Sequence, residues 1–171
     1  MISFRPEHMV APRVPEFESK IAAPDAIPYR LSEWPRPLVF TNGCFDILHR
    51  GHVTLLAQAR ALGVSLLVAI NSDSSVKRLG KGDDRPINTL ADRMAVVAAI
   101  GCVSAVTWFD EDTPIARILE CRPDVLAKGG DWPVERIVGA REVSTWGGKA
   151  VSIPFVHQGS TTGLLRKIRA L

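Results

Sequence analysis

From Leu38 onward, short apolar runs alternate with segments of helical period, and nothing else in the chain constrains the fold as tightly. Leu38-Val39-Phe40-Thr41 reads as a strand that meets Asn42-Gly43, a turn signal. Gly51 to Leu62 reads as a helix, because Leu55, Ala59 and Leu62 recur at helical spacing and Gly63 ends it. Ser65 to Ile70 is continuously apolar, as a strand covered on both faces should be. Thr89 opens a helix marked by Leu90, Met94, Val97 and Ala98, and Val103 to Trp108 is the next strand. Thr113-Pro114 supplies a cap and a first position for a helix carrying Ile115, Ile118 and Leu119. Asp124 to Ala127 and Ala150 to Ile153 are the last strands, the second preceded by the Gly147-Gly148 turn. A final helix starts near Ser160, with Leu164, Ile168 and Leu171 on one face. Strands alternating with helices in this way predict a three-layer α/β fold with five parallel strands and right-handed crossovers. Ligands in such sheets bind beyond the carboxyl ends of the strands, and the polar residues of this chain gather there.

Residues 1–36 read differently. Seven prolines, from Pro6 to Pro37, interrupt any long element in and just beyond this stretch, which predicts an extended arm with one short helix near Asp25 to Trp34. The folded domain, and with it any chemistry, is expected in residues 37–171. Met1 to Val10 lacks an apolar core of signal-peptide length, and no run of about 18 apolar residues occurs, so a cytoplasmic protein without membrane contact is expected. Cys44, Cys102 and Cys121 are isolated and odd in number, which argues against a disulfide framework. The net charge of +3 is mild, and the densest basic run, Arg166-Lys167-Ile168-Arg169, suits a helix C-terminus better than a nucleic-acid surface.

Four segments carry chemistry. The first is Thr41 to His52, TNGCFDILHRGH, at a strand-to-helix joint. Gly43 lets backbone approach a ligand, and Gly51 leaves room beside the helix start. His49 and His52 lie three residues apart, so both imidazoles can face one side, next to helix-start amides that favour anions. Such donors suit a phosphate whose charge grows during transfer; a capped helix with two surface histidines is the structural alternative. The second is Asn71 to Pro86, where Lys77, Arg78, Lys81 and Arg85 precede a helix holding Arg93. It reads as a phosphate clamp or as a solvated loop. The third, Lys128-Gly129-Gly130-Asp131-Trp132, is a tight turn in which Asp131 can hold a ribose or sugar hydroxyl. The fourth, Gly159-Ser160-Thr161-Thr162-Gly163, offers hydroxyls and free amides to phosphate oxygens, or simply an N-cap.

The string Gly43, Phe45, Asp46, His49, Gly51, His52 resembles the GxFDxxHxGH signature of the cytidylyltransferase-like nucleotidyltransferases. With NSDSSVKRL, KGGDW and GSTTGLLRKI, it is similar to the heptose 1-phosphate adenylyltransferases of that family, from about Leu38 to Leu171. The resemblance implies a Rossmann-like sheet of strand order 3-2-1-4-5. It implies transfer of AMP from ATP to D-glycero-β-D-manno-heptose 1-phosphate, with pyrophosphate released, in lipopolysaccharide core synthesis. Mg²⁺ would accompany ATP, no protein metal site is expected, and a homodimer is. His49, His52 and Lys81 are the expected catalytic groups. Asn42, Gly43, Cys44, Phe45, Asp46, Gly51, Asn71, Asp131, Ser160, Thr161 and Thr162 join the histidines around the nucleotide. Asp46, Asp73, Lys81, Arg85, Arg93 and Lys128 are expected at the sugar phosphate. Two departures stand out: Gly80 lengthens the loop that reads LKGxxRP in many relatives, and His157-Gln158 replace an Arg often found before the S-T-[TS] element.

No GxGxxG follows a strand, and neither GxxxxGK[ST] nor GxSxG occurs, which sets aside a nicotinamide fingerprint, a P-loop and a nucleophile elbow. Cys44, His49 and His52 lack a second ligand pair at zinc spacing. The alternatives left open are a glycerol-3-phosphate cytidylyltransferase, a flavin or pantetheine-phosphate adenylyltransferase, and a non-catalytic nucleotide-sensing module.

Overall fold

The computed structural model describes residues 13–80, 82, 84–157 and 161–170. Five strands form one parallel sheet: β1 (Leu38–Gly43), β2 (Ser65–Asn71), β3 (Ala105–Phe109), β4 (Val125–Gly129) and β5 (Lys149–Ile153). Their spatial order is β3-β2-β1-β4-β5, as expected. β1 and β4 are therefore neighbours although they are far apart in sequence. The two strands run parallel, but the direction in which the sheet is wound reverses at this pair, so a crevice opens at their carboxyl ends. The helices are α1 (Ile27–Arg30), α2 (Arg50–Arg60), α3 (Asp73–Arg78), α4 (Leu90–Ala98), α5 (Ile115–Cys121), α6 (Ala140–Thr145) and α7 (Thr161–Arg169).

Burial explains why the apolar runs became strands. All seven residues of β2 are buried, and the sheet separates two apolar clusters. Val39, Leu56, Leu66 and Val68 belong to one, and Phe40, Leu67, Ile118 and Leu126 to the other. β1 runs through Asn42 and Gly43 rather than turning there, because both continue the ladder opposite Ala69 and Ile70. α3 replaces part of the expected clamp loop: Ser72 caps it by accepting from the Ser75 amide at 3.0 Å. α5 begins at Ile115 with Pro114 as its cap residue, and Thr113 makes no capping bond. In α7, Leu164 is half-buried, whereas Ile168, one turn further on, is 56% exposed.

The proline-rich segment lies against the sheet from Glu16 on. Ile21 bridges Val106 in parallel, and the Ala22 amide donates to the Val106 carbonyl at 2.8 Å, which covers part of the β3 edge. Ala22, Ile27 and Trp34 enter the second apolar cluster, with Ile27 wholly buried. Burying such a side chain contributes roughly 1.5–3 kcal/mol. Among the described residues, no helix is long and apolar enough to cross a membrane.

Candidate active site

The site begins where β1 hands over to α2. Phe45 adopts φ +49°, a left-handed conformation that costs a non-glycine residue roughly 1–3 kcal/mol. The turn buries its ring beside His52, with centroids 5.3 Å apart. His49 is the cap residue of α2 and no side chain caps that helix; the His52 amide donates to the His49 carbonyl at 2.9 Å, which leaves the amides of Arg50 and Gly51 as the helix-start donors. The two imidazoles stack, with centroids 3.9 Å apart and planes 24° from parallel. Gly51 makes this possible: a Cβ there would lie 3.0 Å from two ring atoms of His49 and 3.2 Å from the His157 carbonyl oxygen. Burial pulls the His49 pKa below its ordinary value, so the ring is neutral at neutral pH. Its Nδ1 is buried and has no hydrogen-bond partner among the described residues, a cost of about 1–3 kcal/mol that a bound ligand can relieve.

A buried ion pair holds the floor. Arg85 Nε donates to Asp46 Oδ2 at 2.5 Å, and the side chains are 5% and 0% exposed. The Ile87 and Asn88 amides donate to the same carboxylate at 2.9–3.0 Å. Burial alone would raise the Asp46 pKa, but the Asn88 and Ile87 amides and the Arg85 guanidinium outweigh it and hold the carboxyl below its ordinary value. Arg93 is fully buried. It donates to the carbonyl oxygens of Cys44 at 2.7 Å and Asn88 at 3.1 Å, and to Asp73 Oδ1 at 2.7 Å. Its charge ties the strand end to the loop before α4.

Two cavities open over the carboxyl ends of the strands. The first, about 610 Å³, is lined by Asn42 to Asp46, His49, His52, Arg85, Lys128, Gly129, Phe155, Thr161 and Thr162, with Leu55 and Gly80. The second, about 400 Å³, has walls from Asn71, Phe109, Asp112, Thr113, Trp132 and Arg136 among others. They share Asn42, Gly43, Cys44 and Lys128. Lys128 Nζ donates to Asn42 Oδ1 at 3.1 Å, which fixes a cation at the boundary. Gly129 keeps the first cavity open, because a Cβ there would meet Leu55 Cδ2 at 2.7 Å and the Phe155 ring at 3.0 Å.

The sequence-derived residues thus divide. Asn42, Gly43, Cys44, Phe45, Asp46, His49, His52, Arg85, Lys128, Thr161 and Thr162 come together around the first cavity, and Gly51 backs the histidines. Asn71 lines the second cavity, where its amide donates to Ser75 Oγ at 3.0 Å. Asp73, Arg93 and Asp131 line neither. Lys81 and Ser160 lie outside the described residues. Arg78 does not reach the site, since its Nε donates to Asp112 at 2.8 Å. Sequence reasoning passed over Phe155, Asp112, Thr113 and Arg136. The last three follow the ends of β3 and β4, where ligands of such sheets bind, and that position was the available signal. Among the described residues, no group of three or more His, Cys, Asp or Glu could hold a metal ion.

Helix-start amides, stacked imidazoles and fixed cations around one crevice are equipment for phosphate, and on this sheet they mark a nucleotidyltransferase. The chain belongs to the cytidylyltransferase-like family, whose model matches residues 40–157. It is 56% identical over 155 residues to the D-beta-D-heptose 1-phosphate adenylyltransferase of Bordetella bronchiseptica, covering 90% of this chain and 96% of that one. It is also 55% identical over 130 residues to the bifunctional protein HldE of a Marinomonas species. There the match covers 76% of this chain but only 27% of the relative. A lipopolysaccharide core biosynthesis protein from Thermoplasma volcanium has the same fold, with a TM-score of 0.59, 24% identity, and coverage of 71% of this chain and 98% of that one.

Proposed function

We propose that this chain transfers AMP from ATP to a heptose 1-phosphate, giving ADP-heptose and pyrophosphate in the assembly of lipopolysaccharide core sugars. The similarity to the Bordetella enzyme over nearly its whole length supports the acceptor. The observation that carries the chemistry is the stacked His49–His52 pair at an uncapped helix start, in a cavity that shares a cationic boundary with a second one.

In this reading ATP occupies the first cavity and the sugar phosphate enters from the second. A phosphate oxygen of the acceptor attacks the α-phosphorus, a new P–O bond forms, and the bond to the bridging oxygen of pyrophosphate breaks in line. Lys128, on the boundary, holds oxygens of the group being transferred. His49, His52 and the first amides of α2 donate to the phosphates as charge moves onto the leaving oxygen. Thr161 and Thr162 bind the outer phosphates at the start of α7. Arg85 and Arg93 act indirectly, Arg85 by fixing Asp46 and Arg93 by holding the Cys44 carbonyl. No covalent intermediate is needed, because positioning and charge stabilisation supply the rate.

The carboxylate lining the first cavity, Asp46, is already saturated by Arg85 and two amides. Mg²⁺ therefore fits as a ligand of the triphosphate, with few if any protein ligands, and neutralises its charge there. A homodimer fits the uncovered Ile168 on α7. The reaction is tested by incubating the purified protein with ATP, Mg²⁺ and heptose 1-phosphate and analysing products by mass spectrometry. The expected product is ADP-heptose, formed in step with pyrophosphate. ATP that stays intact with this acceptor but is consumed with another would overturn the acceptor assignment.

A further inference from the structure

We infer that Arg136 and Trp132, in the connection between β4 and α6, are the residues that select a phosphorylated sugar ring as acceptor; the assignment rests on the reaction proposed above. Both line the second cavity, outside the motif that builds the histidine site.

Electrostatics come first. The second cavity presents two cations, Lys128 and Arg136. Its lining carboxylate, Asp112, is paired with Arg78 Nε at 2.8 Å, so its charge is largely spent. A cavity with this balance attracts an anion. Lys128 is committed to the boundary by its bond to Asn42. Arg136 is carried by a short 3-10 turn, Val134–Arg136, and forms no ion pair among the described residues. Its planar fork of donors matches phosphate oxygens or paired sugar hydroxyls.

The shape argument concerns Trp132. The residue is 50% exposed, yet it is held in place. The indole N–H donates to the Gly129 carbonyl at 3.0 Å, and the backbone N–H to Ser152 Oγ at 3.0 Å. Gly130, at φ +112°, makes room: a Cβ there would stand 2.8 Å from the indole nitrogen. A large aromatic face fixed at a cavity wall but left half in water is spent on a ligand surface rather than on the core. A pyranose ring presents an apolar C–H face to such a plane and hydroxyls at its rim, and Thr113 and Asn71 add polar groups to the same lining. A three-carbon polyol phosphate covers far less of the indole. The structure thus assigns anion capture to Arg136 and ring recognition to Trp132.

Steady-state pyrophosphate release separates the outcomes, using the full chain, ATP and heptose 1-phosphate. R136A should raise the KM for the sugar phosphate at least tenfold, leave the KM for ATP within about twofold, and recover in part as R136K. W132A should reduce kcat/KM for heptose 1-phosphate at least tenfold, and by a clearly larger factor than it reduces the rate with glycerol 3-phosphate; an equal loss with both acceptors would overturn ring recognition by Trp132. Thermal melting within a few degrees of wild type would show that both variants fold. A rise in the KM for ATP, or unchanged KM values in R136A, would overturn the assignment while leaving the reaction intact. Wild-type protein that releases no pyrophosphate with heptose 1-phosphate would instead overturn the reaction on which the assignment rests.

Discussion

Replacing Asp46 by Asn separates the buried ion pair from the rest of the site. The carboxylate accepts from Arg85 Nε at 2.5 Å and from the Ile87 and Asn88 amides at 2.9–3.0 Å. An Asn side chain keeps the volume but offers one acceptor oxygen and no charge. Arg85, 5% exposed, would then hold a cation without its counter-charge. Breaking a buried pair by removing one partner costs about 3–5 kcal/mol, because the remaining charge is uncompensated. For a chain of this size, each kcal/mol moves Tm by roughly 2–4 °C, so D46N should melt about 6–20 °C lower. The pH dependence gives a second check. Asp46 has a folded pKa below its ordinary value of 3.8, so its contribution is present above that value and is lost as pH falls through the folded pKa. The stability gap between wild type and D46N should therefore be full at pH 7 and narrow towards pH 3. Urea unfolding at both pH values measures it. A gap under 1 kcal/mol at pH 7, or one that does not narrow in acid, would refute the reasoning.

Four further outcomes are expected. H49A and H52A should each lower turnover about a hundred- to thousandfold while the melting temperature holds, since each removes one preorganised donor; near-wild-type pyrophosphate release by either would remove that residue from the mechanism. His49 is neutral in the free protein because burial lowers its pKa, and a triphosphate beside it would raise that pKa again. ATP should therefore bind more tightly, with proton uptake, as pH falls from 8 towards 6; calorimetry in buffers of different ionisation enthalpy would report this, and a pH-independent affinity would contradict it. EDTA should stop turnover without shifting the melting temperature, as expected if the metal arrives with the nucleotide; a lowered melting temperature would point to a metal held by the protein itself. I27A should cost about 2–5 kcal/mol in urea unfolding, because Ile27 is wholly buried in the second apolar cluster; a loss under 1 kcal/mol would show that this part of the proline-rich segment does not dock.

The fold was legible because parallel strands buried on both faces leave continuous apolar runs. Ser65 to Ile70 reads as a strand without context, and the histidines three apart announced the helix start beside it. Short polar helices left a fainter trace. α3, Asp73–Arg78, buries only Ser75 and Val76, so its apolar period is too brief to register, and the signal it offers is the Ser72 cap. α6 likewise buries only Val143. In the site, the sequence placed cations near phosphates but not the direction each one faces. Arg93 turns inward to carbonyl oxygens, and Arg78 is taken by Asp112. Those choices depend on which acceptors the folded backbone leaves unpaired, and no spacing rule encodes them. Arg136 belongs to none of the four motif segments, and only the meeting of the segments after β3 and β4 around a cavity sets it apart.

The central claim is that this site transfers AMP to a sugar phosphate, and a direct comparison of initial rates tests it. Pyrophosphate release is measured for ATP with heptose 1-phosphate and for CTP with glycerol 3-phosphate, at matched concentrations and with Mg²⁺ present. A site built to hydrogen-bond sugar hydroxyls rejects acceptors lacking them by large factors, so the first pair should be faster by at least about a hundredfold. A faster reaction of CTP with glycerol 3-phosphate would contradict the account.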